Sequence, residues 1–215
     1  MRSNVNSPPE AQGYFQGMEE TRSASPGDGY PRREKLFLAL LLDPGLYRTA
    51  ANRIRSPCQK YGFTGTPYAA ERLHLSLLDF GDYHADLAAV VTQVAATVRF
   101  HPFEIRLDTA MSFSHRPPRC PYVLTSEHGV NQVRAFFWVL HERFCGDVTA
   151  SARSSGFVPH LTLVWDEKMI PAHALERPLS WTARDFVLVR SYQGESRYDI
   201  LGRWPLLAAA PSPDR

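Results

Sequence analysis

The sequence predicts one mixed α/β (α+β) domain built from two related, pseudo-symmetric lobes around a central cleft. Apolar runs typical of strands alternate with amphipathic stretches typical of helices, in the order βαβα followed by ββαβββ. A short motif also recurs, because residues 73–77 (LHLSL) match residues 159–163 (PHLTL). Each copy follows a helix that follows an apolar strand. This repetition predicts two halves of similar structure, each with an antiparallel or mixed sheet and outer helices.

Length, charge and cysteine content limit the class of protein. The chain has 215 residues and a formal net charge of +2, which argues against bulk attraction to a long polyanion but allows a charged pocket for one phosphate. Three widely spaced cysteines without a CxxC motif predict no disulfide framework and favour a cytoplasmic location. Because no apolar run approaches the roughly 18 residues of a spanning helix, no membrane association is expected. No obligate protein partner is inferred.

The two ends of the chain differ from its middle in composition. Residues 1–31 contain four Pro, four Gly and four Ser without sustained periodicity, and are therefore predicted to form a disordered tail. Residues 208–215 are predicted to be a short C-terminal tail. The folded domain is therefore placed at residues 32–207.

The first half of the domain contains two predicted strands, each followed by a helix. Residues 35–42 form the first strand, and a helix follows from Pro44 to about residue 60, with Asp43 as its N-cap. A second strand is predicted over residues 73–80. Apolar residues at helical spacing predict a helix over residues 83–98.

The second half contains one predicted helix and five predicted strands. A helix is predicted over residues 131–144. The predicted strands of this half are 103–113, 122–126, 158–165, 186–191 and 197–204.

Both recurring motifs place one imidazole and one hydroxyl on the same face of a strand. Since successive side chains of a strand point to opposite faces, His74 and Ser76 lie together, roughly 6.6 Å apart along the strand. The same alternation groups His160 with Thr162. Leucines occupy the opposite face of each strand and are expected to pack on a core.

Two such strands facing each other across a cleft are suited to phosphodiester chemistry. A neutral imidazole takes a proton from the attacking group, and a protonated one gives a proton to the leaving oxygen. Histidine has the pKa that lets one member of a pair act as base and the other as acid. Serine and threonine hydroxyls donate hydrogen bonds to the non-bridging oxygens, where charge accumulates. No metal or other cofactor is expected.

At these residues the sequence resembles the 2H phosphoesterase superfamily, and within it the 2′-5′ RNA ligase-like branch. The segments that carry the resemblance are 73–78 (LHLSLL) and 157–163 (FVPHLTL), with the closing segments 186–191 and 197–206. It covers about residues 35–206. The resemblance implies that His74 and His160 are the acid/base pair and that Ser76 and Thr162 hold the phosphate. Ser76 stands where threonine is more usual, which retains the hydroxyl.

The resemblance implies a phosphoesterase that acts on 2′,3′-cyclic phosphates or on 2′-5′ phosphodiester bonds of RNA or nucleotides. Its partner would be a nucleotide or an RNA end that bears such a group. The alternatives are a 2′-5′ RNA end-ligating enzyme and a non-catalytic nucleotide- or RNA-binding module of the same fold. The sequence leaves open which histidine is base and which is acid.

Five further residues are candidates for substrate contacts. Arg72 lies on the face of His74 by strand alternation, and Arg197 and Tyr198 lie in the last strand. Phe63 and Tyr68 lie in the loop before the first motif and are candidates for an aromatic platform under a nucleobase.

Overall fold

A computed structural model describes residues 33–114, 118–144 and 157–207. The predicted tails, residues 1–31 and 208–215, lie outside the described residues. The elements in chain order are β1 (Glu34–Leu41), α1 (Tyr47–Tyr61), β2 (His74–Asp82), α2 (Ala85–Ala95), β3 (Phe103–Ser112), β4 (Cys120–Thr125), α3 (Asn131–Phe144), β5 (Leu161–Asp166), β6 (His173–Ala183), β7 (Asp185–Tyr192) and β8 (Arg197–Pro205).

The described strands form two four-stranded sheets with the same plan. One sheet has the order β2-β1-β7-β8 and the other β5-β4-β3-β6. All neighbouring strands are antiparallel. The unit β1–α1–β2 corresponds to β4–α3–β5, and each unit ends on an edge strand of its sheet. The predicted two-lobed mixed α/β fold is confirmed.

Helical structure begins at Pro44, as predicted, but its first turn is a 3-10 turn rather than an α-helical one. The carboxylate of Asp43 accepts a hydrogen bond from the backbone N–H of Gly45 at 2.7 Å. The segment Pro44–Leu46 forms a 3-10 helix, and α1 follows it directly. The helix ends at Gly62, whose φ of 63° is in the left-handed region that glycine adopts without steric cost.

Strand β6 is absent from the sequence-based prediction. It contains Pro178, which lacks a backbone N–H, and proline is tolerated mainly on edge strands. The strand lies at the edge of its sheet and pairs only with β3. His173 is its first residue.

The core is continuous between the two sheets. It contains fully buried leucines from both motif strands, among them Leu75 and Leu161. Because side chains alternate along a strand, the other faces of β2 and β5 carry the half-buried side chains of His74, Ser76 and Thr162. The strands β2 and β5 contact each other, so the two motif strands lie side by side at the junction of the lobes.

The loop between α1 and β2 joins the two lobes. The carboxylate of Asp166, at the end of β5, accepts hydrogen bonds from the backbone N–H groups of Thr64 at 2.6 Å and Gly65 at 2.7 Å. The backbone N–H of Tyr68 donates to the carbonyl of Leu163 at 2.9 Å. A Cβ at Gly65 would overlap the backbone carbonyl of Trp165, so this close approach requires glycine. The loop thereby holds β2 next to β5.

The helices of the described ranges are short. None of them is both long enough and apolar enough to cross a membrane.

Candidate active site

The two motif histidines are held by the same backbone contact. Nδ1 of His74 lies 2.8 Å from the carbonyl oxygen of Arg72, and Nδ1 of His160 lies 2.7 Å from that of Val158. In both cases the carbonyl belongs to the residue two positions earlier. Since a carbonyl oxygen can only accept, each Nδ1 carries the proton and donates it. Each neutral ring therefore has its lone pair on Nε2, the nitrogen available for proton transfer.

Both imidazoles lie where protonation is unfavourable. Burial, together with the positive charges of Arg72 and of a protonated His160, lowers the pKa of His74 to about 4, although the hydrogen bond to the Arg72 carbonyl acts in the opposite direction. Burial also lowers the pKa of His160. The effect of His160 on His74 places the two rings in one electrostatic environment. The charge of a protonated His160 therefore disfavours protonation of His74.

The hydroxyl residues take the positions that strand alternation predicts. Ser76 lies opposite Ala39 in the pairing of β2 with β1, and Thr162 lies opposite Val123 in the pairing of β5 with β4. Each hydroxyl is two residues beyond its histidine, on the same face, and half-buried. Each motif therefore carries an imidazole at the start of an edge strand, His74 as the first residue of β2 and His160 directly before β5, with its hydroxyl two residues further on.

Two phenylalanines and a threonine that the sequence analysis did not single out support the imidazoles. Phe37 stacks on His74 with ring centroids 5.1 Å apart, and Phe113 contacts His160 edge-on at 5.0 Å. The buried hydroxyl of Thr125 donates to the carbonyl of Pro159 at 2.8 Å, which fixes the backbone just before His160. Their positions in the sequence carry no signal that distinguishes them from ordinary core residues.

Three of the five additional candidates meet beside His74. The guanidinium of Arg72 lies over the rings of Tyr68 and Tyr198, at 5.4 and 5.8 Å from their centroids. Tyr198 also contacts His74 edge-on, with ring centroids 6.3 Å apart. The hydroxyl of Tyr198 donates to the carbonyl of Glu71 at 2.8 Å, and burial raises the pKa of this hydroxyl.

The other two candidates have different neighbours. Phe63 packs on the rings of Tyr61 and Tyr122, with centroid distances of 5.9 and 5.2 Å. Arg197 is exposed, lies over the ring of Tyr192 at 4.2 Å and pairs with Asp199 at 3.6 Å. Their predicted roles in substrate binding stay predictions.

A groove of about 440 Å³ lies between α1 and the loop before β2. Its lining is mainly apolar, and Tyr68 forms part of its wall beside Cys58. Burial raises the pKa of the Cys58 thiol, which favours its protonated form at neutral pH. Among the described residues, no three His, Cys, Asp or Glu side chains are grouped as a metal site requires.

Two matched sheets whose edge strands present paired His-x-Ser and His-x-Thr motifs are the arrangement of a two-histidine phosphoesterase. The model of the 2′-5′ RNA ligase superfamily matches residues 43–195. The chain therefore belongs to that superfamily, whose members are 2H phosphoesterases, and the predicted relationship is confirmed. None of the curated proteins compared matches the sequence significantly.

Solved structures of similar proteins share the fold over most of the chain. LigT of E. coli complexed with ATP has 22% identity and a TM-score of 0.65, covering 82% of this chain and 99% of that one. LigT complexed with 3′-AMP has 26% identity and a TM-score of 0.57, with the same coverage of 82% and 99%. TT0787 of Thermus thermophilus has 20% identity and a TM-score of 0.64, covering 82% and 100%.

Proposed function

We propose that this protein is a phosphoesterase that acts on 2′,3′-cyclic phosphates or 2′-5′ phosphodiester bonds of nucleotides or RNA. The observation that carries the proposal is the equivalence of His74 and His160. Each ring donates its Nδ1 proton to a carbonyl and keeps Nε2 for proton transfer. His74 begins β2 and His160 directly precedes β5, and these two edge strands contact each other. Two imidazoles in one environment supply the general acid and the general base of phosphodiester hydrolysis.

The chemistry proceeds by exchange of protons at the two Nε2 atoms. Nε2 of the neutral histidine takes a proton from water as the water oxygen attacks phosphorus. The bond from phosphorus to a ribose oxygen breaks, and Nε2–H of the protonated histidine gives its proton to that oxygen. The pair ends with its protonation states exchanged, so the rings return to their starting states by proton exchange with solvent. Both proton transfers are supplied by side chains, so the reaction is expected without added metal.

The hydroxyls of Ser76 and Thr162 complete the proposed site. Each lies two residues from an imidazole and on the same face, and can donate to a non-bridging oxygen of the phosphate. Their contribution grows as charge accumulates on these oxygens in the transition state. Complexes of LigT with ATP and with 3′-AMP support a nucleotide as the substrate class.

The proposal is tested by incubating the full chain with a nucleoside 2′,3′-cyclic phosphate and with a 2′-5′-linked dinucleotide, each in the presence of EDTA. We expect turnover of at least one of them and identify the product isomer by chromatography. Adding an RNA with a 5′-hydroxyl end reports ligation as a competing outcome. Binding of both compounds without any turnover would contradict the proposal and favour a binding module.

The kcat/KM of the proposed reaction is expected to peak on the acidic side of pH 6.5. Burial lowers the pKa of both histidines in the free protein, that of His74 to about 4, and activity requires one ring to be protonated. A bound phosphate anion stabilises the imidazolium, so the optimum of kcat should lie at higher pH than that of kcat/KM. Initial rates from pH 4 to 9 measure both profiles. A kcat/KM optimum above pH 7 would contradict the effect of burial.

A further inference from the structure

The guanidinium of Arg72 carries hydrogen-bond donors only, so each of its N–H groups needs an acceptor from another group. Its Nε is buried without a hydrogen-bond partner in the described part of the chain. The contacts of the guanidinium are the rings of Tyr68 and Tyr198, which hold it in place without accepting its N–H groups in the ring plane. A half-buried cation that lacks an anionic partner is unfavourable, and a guanidinium offers a planar fork of donors that fits phosphate oxygens.

The position of Arg72 along the chain separates it from the proposed reacting phosphate. Arg72 and Ser76 lie on opposite sides of His74 in the sequence, each two residues away. Ser76 lies further along β2, whereas Arg72 is the last residue of the 3-10 helix Ala70–Arg72 that precedes the strand. Leu73, between Arg72 and His74, is extended. Tyr198 contacts both Arg72 and His74, so the guanidinium packs on the Tyr198 ring beside the imidazole rather than next to Ser76. An anion at Arg72 therefore lies beyond the reacting phosphate.

We propose that Arg72 binds a second phosphate of the substrate, one nucleoside away from the phosphate that reacts. This inference rests on the proposed function and narrows its substrate class. The substrate would be a nucleotide with a further phosphate, such as a 5′-phosphorylated nucleoside 2′,3′-cyclic phosphate or an RNA 3′ end with its preceding internucleotide phosphate. The net charge of +2 fits recognition of one or two phosphates rather than of a long polyanion.

The experiment compares adenosine 2′,3′-cyclic phosphate with its 5′-phosphorylated form as substrates of the full chain. The wild type is expected to prefer the 5′-phosphorylated form in kcat/KM. Arg72→Met should lower kcat/KM for that form by about 10–100-fold more than for the other form, the scale of a charge-assisted hydrogen bond. Arg72→Lys should recover part of the preference, because it keeps the charge but loses the fork.

Two features make the substitution informative. The carbonyl of Arg72 that holds His74 belongs to the backbone, so the side-chain substitutions leave that acceptor in place. Arg99→Met is the matched control, since it removes the same charge from an exposed side chain that bonds only to the nearby carbonyls of Ala96 and Val98. This control should retain the wild-type preference. Equal losses on both substrates in Arg72→Met, or an unchanged preference, would overturn the inference.

Binding separates this inference from the proposed catalysis. If neither compound is turned over, calorimetry compares adenosine 3′,5′-bisphosphate with adenosine 3′-monophosphate as ligands. Tighter binding of the bisphosphate to the wild type, lost in Arg72→Met, supports the role of Arg72 even though the proposed activity fails. Equal affinity of the two ligands for the wild type overturns it.

Discussion

Replacing His74 or His160 by alanine is expected to lower kcat for the cyclic phosphate or 2′-5′ substrate by about 10²–10⁴-fold, the usual contribution of one general acid or base. Each substitution removes the only imidazole of its motif and leaves the other ring without a partner for proton exchange. The double substitution should cost little more than either single one, because residues that act as a unit have non-additive effects. Single-turnover and steady-state rates measure the loss.

The histidine test needs controls for folding and for general effects of losing an imidazole. His128→Ala is the matched control, because His128 is exposed in the segment before α3 and should leave kcat unchanged. His74→Gln and His160→Gln retain more of the side-chain volume and should be as inactive as the alanine variants. Thermal unfolding confirms that each variant is folded. A folded variant of either motif that keeps more than about a tenth of the wild-type rate would refute the two-histidine mechanism.

The parts of the site that lie within one strand could be predicted from the sequence. The period of two along a strand fixes that His74 and Ser76 share a face, and the same holds for His160 and Thr162. In the structure His74 and Ser76 lie in β2 and Thr162 lies in β5, whereas His160 directly precedes β5. The strand–helix–strand unit occurs twice in the sequence, and this repetition predicts two lobes of similar structure.

The contacts between distant segments could not be predicted in the same way. Phe37 packs on His74 because β1 lies beside β2, and its position in an apolar run is the same as that of a core residue. Asp166 bonds to Thr64 across 102 positions of sequence, which no local pattern reveals. Strand β6 was missed because pairing with β3 at a sheet edge determines it, in spite of Pro178. These features depend on topology rather than on local preference.

Asp166→Ala is expected to lower the free energy of unfolding by about 3 kcal/mol or more, since the lost carboxylate leaves several backbone N–H groups without an acceptor and each costs about 1–3 kcal/mol. The carboxylate is buried and accepts from the N–H groups of Thr64, Gly65 and Lys168. The loop between α1 and β2 would lose its attachment to β5, and Tyr68 in that loop supports Arg72. Urea unfolding at pH 7 measures the change.

The contribution of Asp166 to the free energy of unfolding should depend on pH. Burial raises the pKa of this carboxyl, but the hydrogen bonds from Lys168, Gly65 and Thr64 outweigh burial and hold the pKa below its ordinary value. A carboxyl whose pKa is lower in the folded state contributes stability above its unfolded pKa, about 3.9, and loses it as the pH falls through the folded pKa. The difference between wild type and Asp166→Ala should therefore shrink below about pH 4.

A half-exposed aspartate that accepts from no backbone N–H among the described residues supplies the control for this stability prediction. Asp108 lies 3.9 Å from Arg106 and accepts from the hydroxyl of its neighbour Thr109 at 3.1 Å, and Asp108→Ala should change the free energy of unfolding by less than about 1 kcal/mol. Asp166→Asn should show part of the loss, because its amide oxygen still accepts but its NH₂ group faces backbone donors. Equal effects of Asp166→Ala and Asp108→Ala at pH 7 would show that the loop does not depend on the Asp166 carboxylate. The attachment of β2 to β5 would then rest on the Tyr68 to Leu163 backbone hydrogen bond and on side-chain packing.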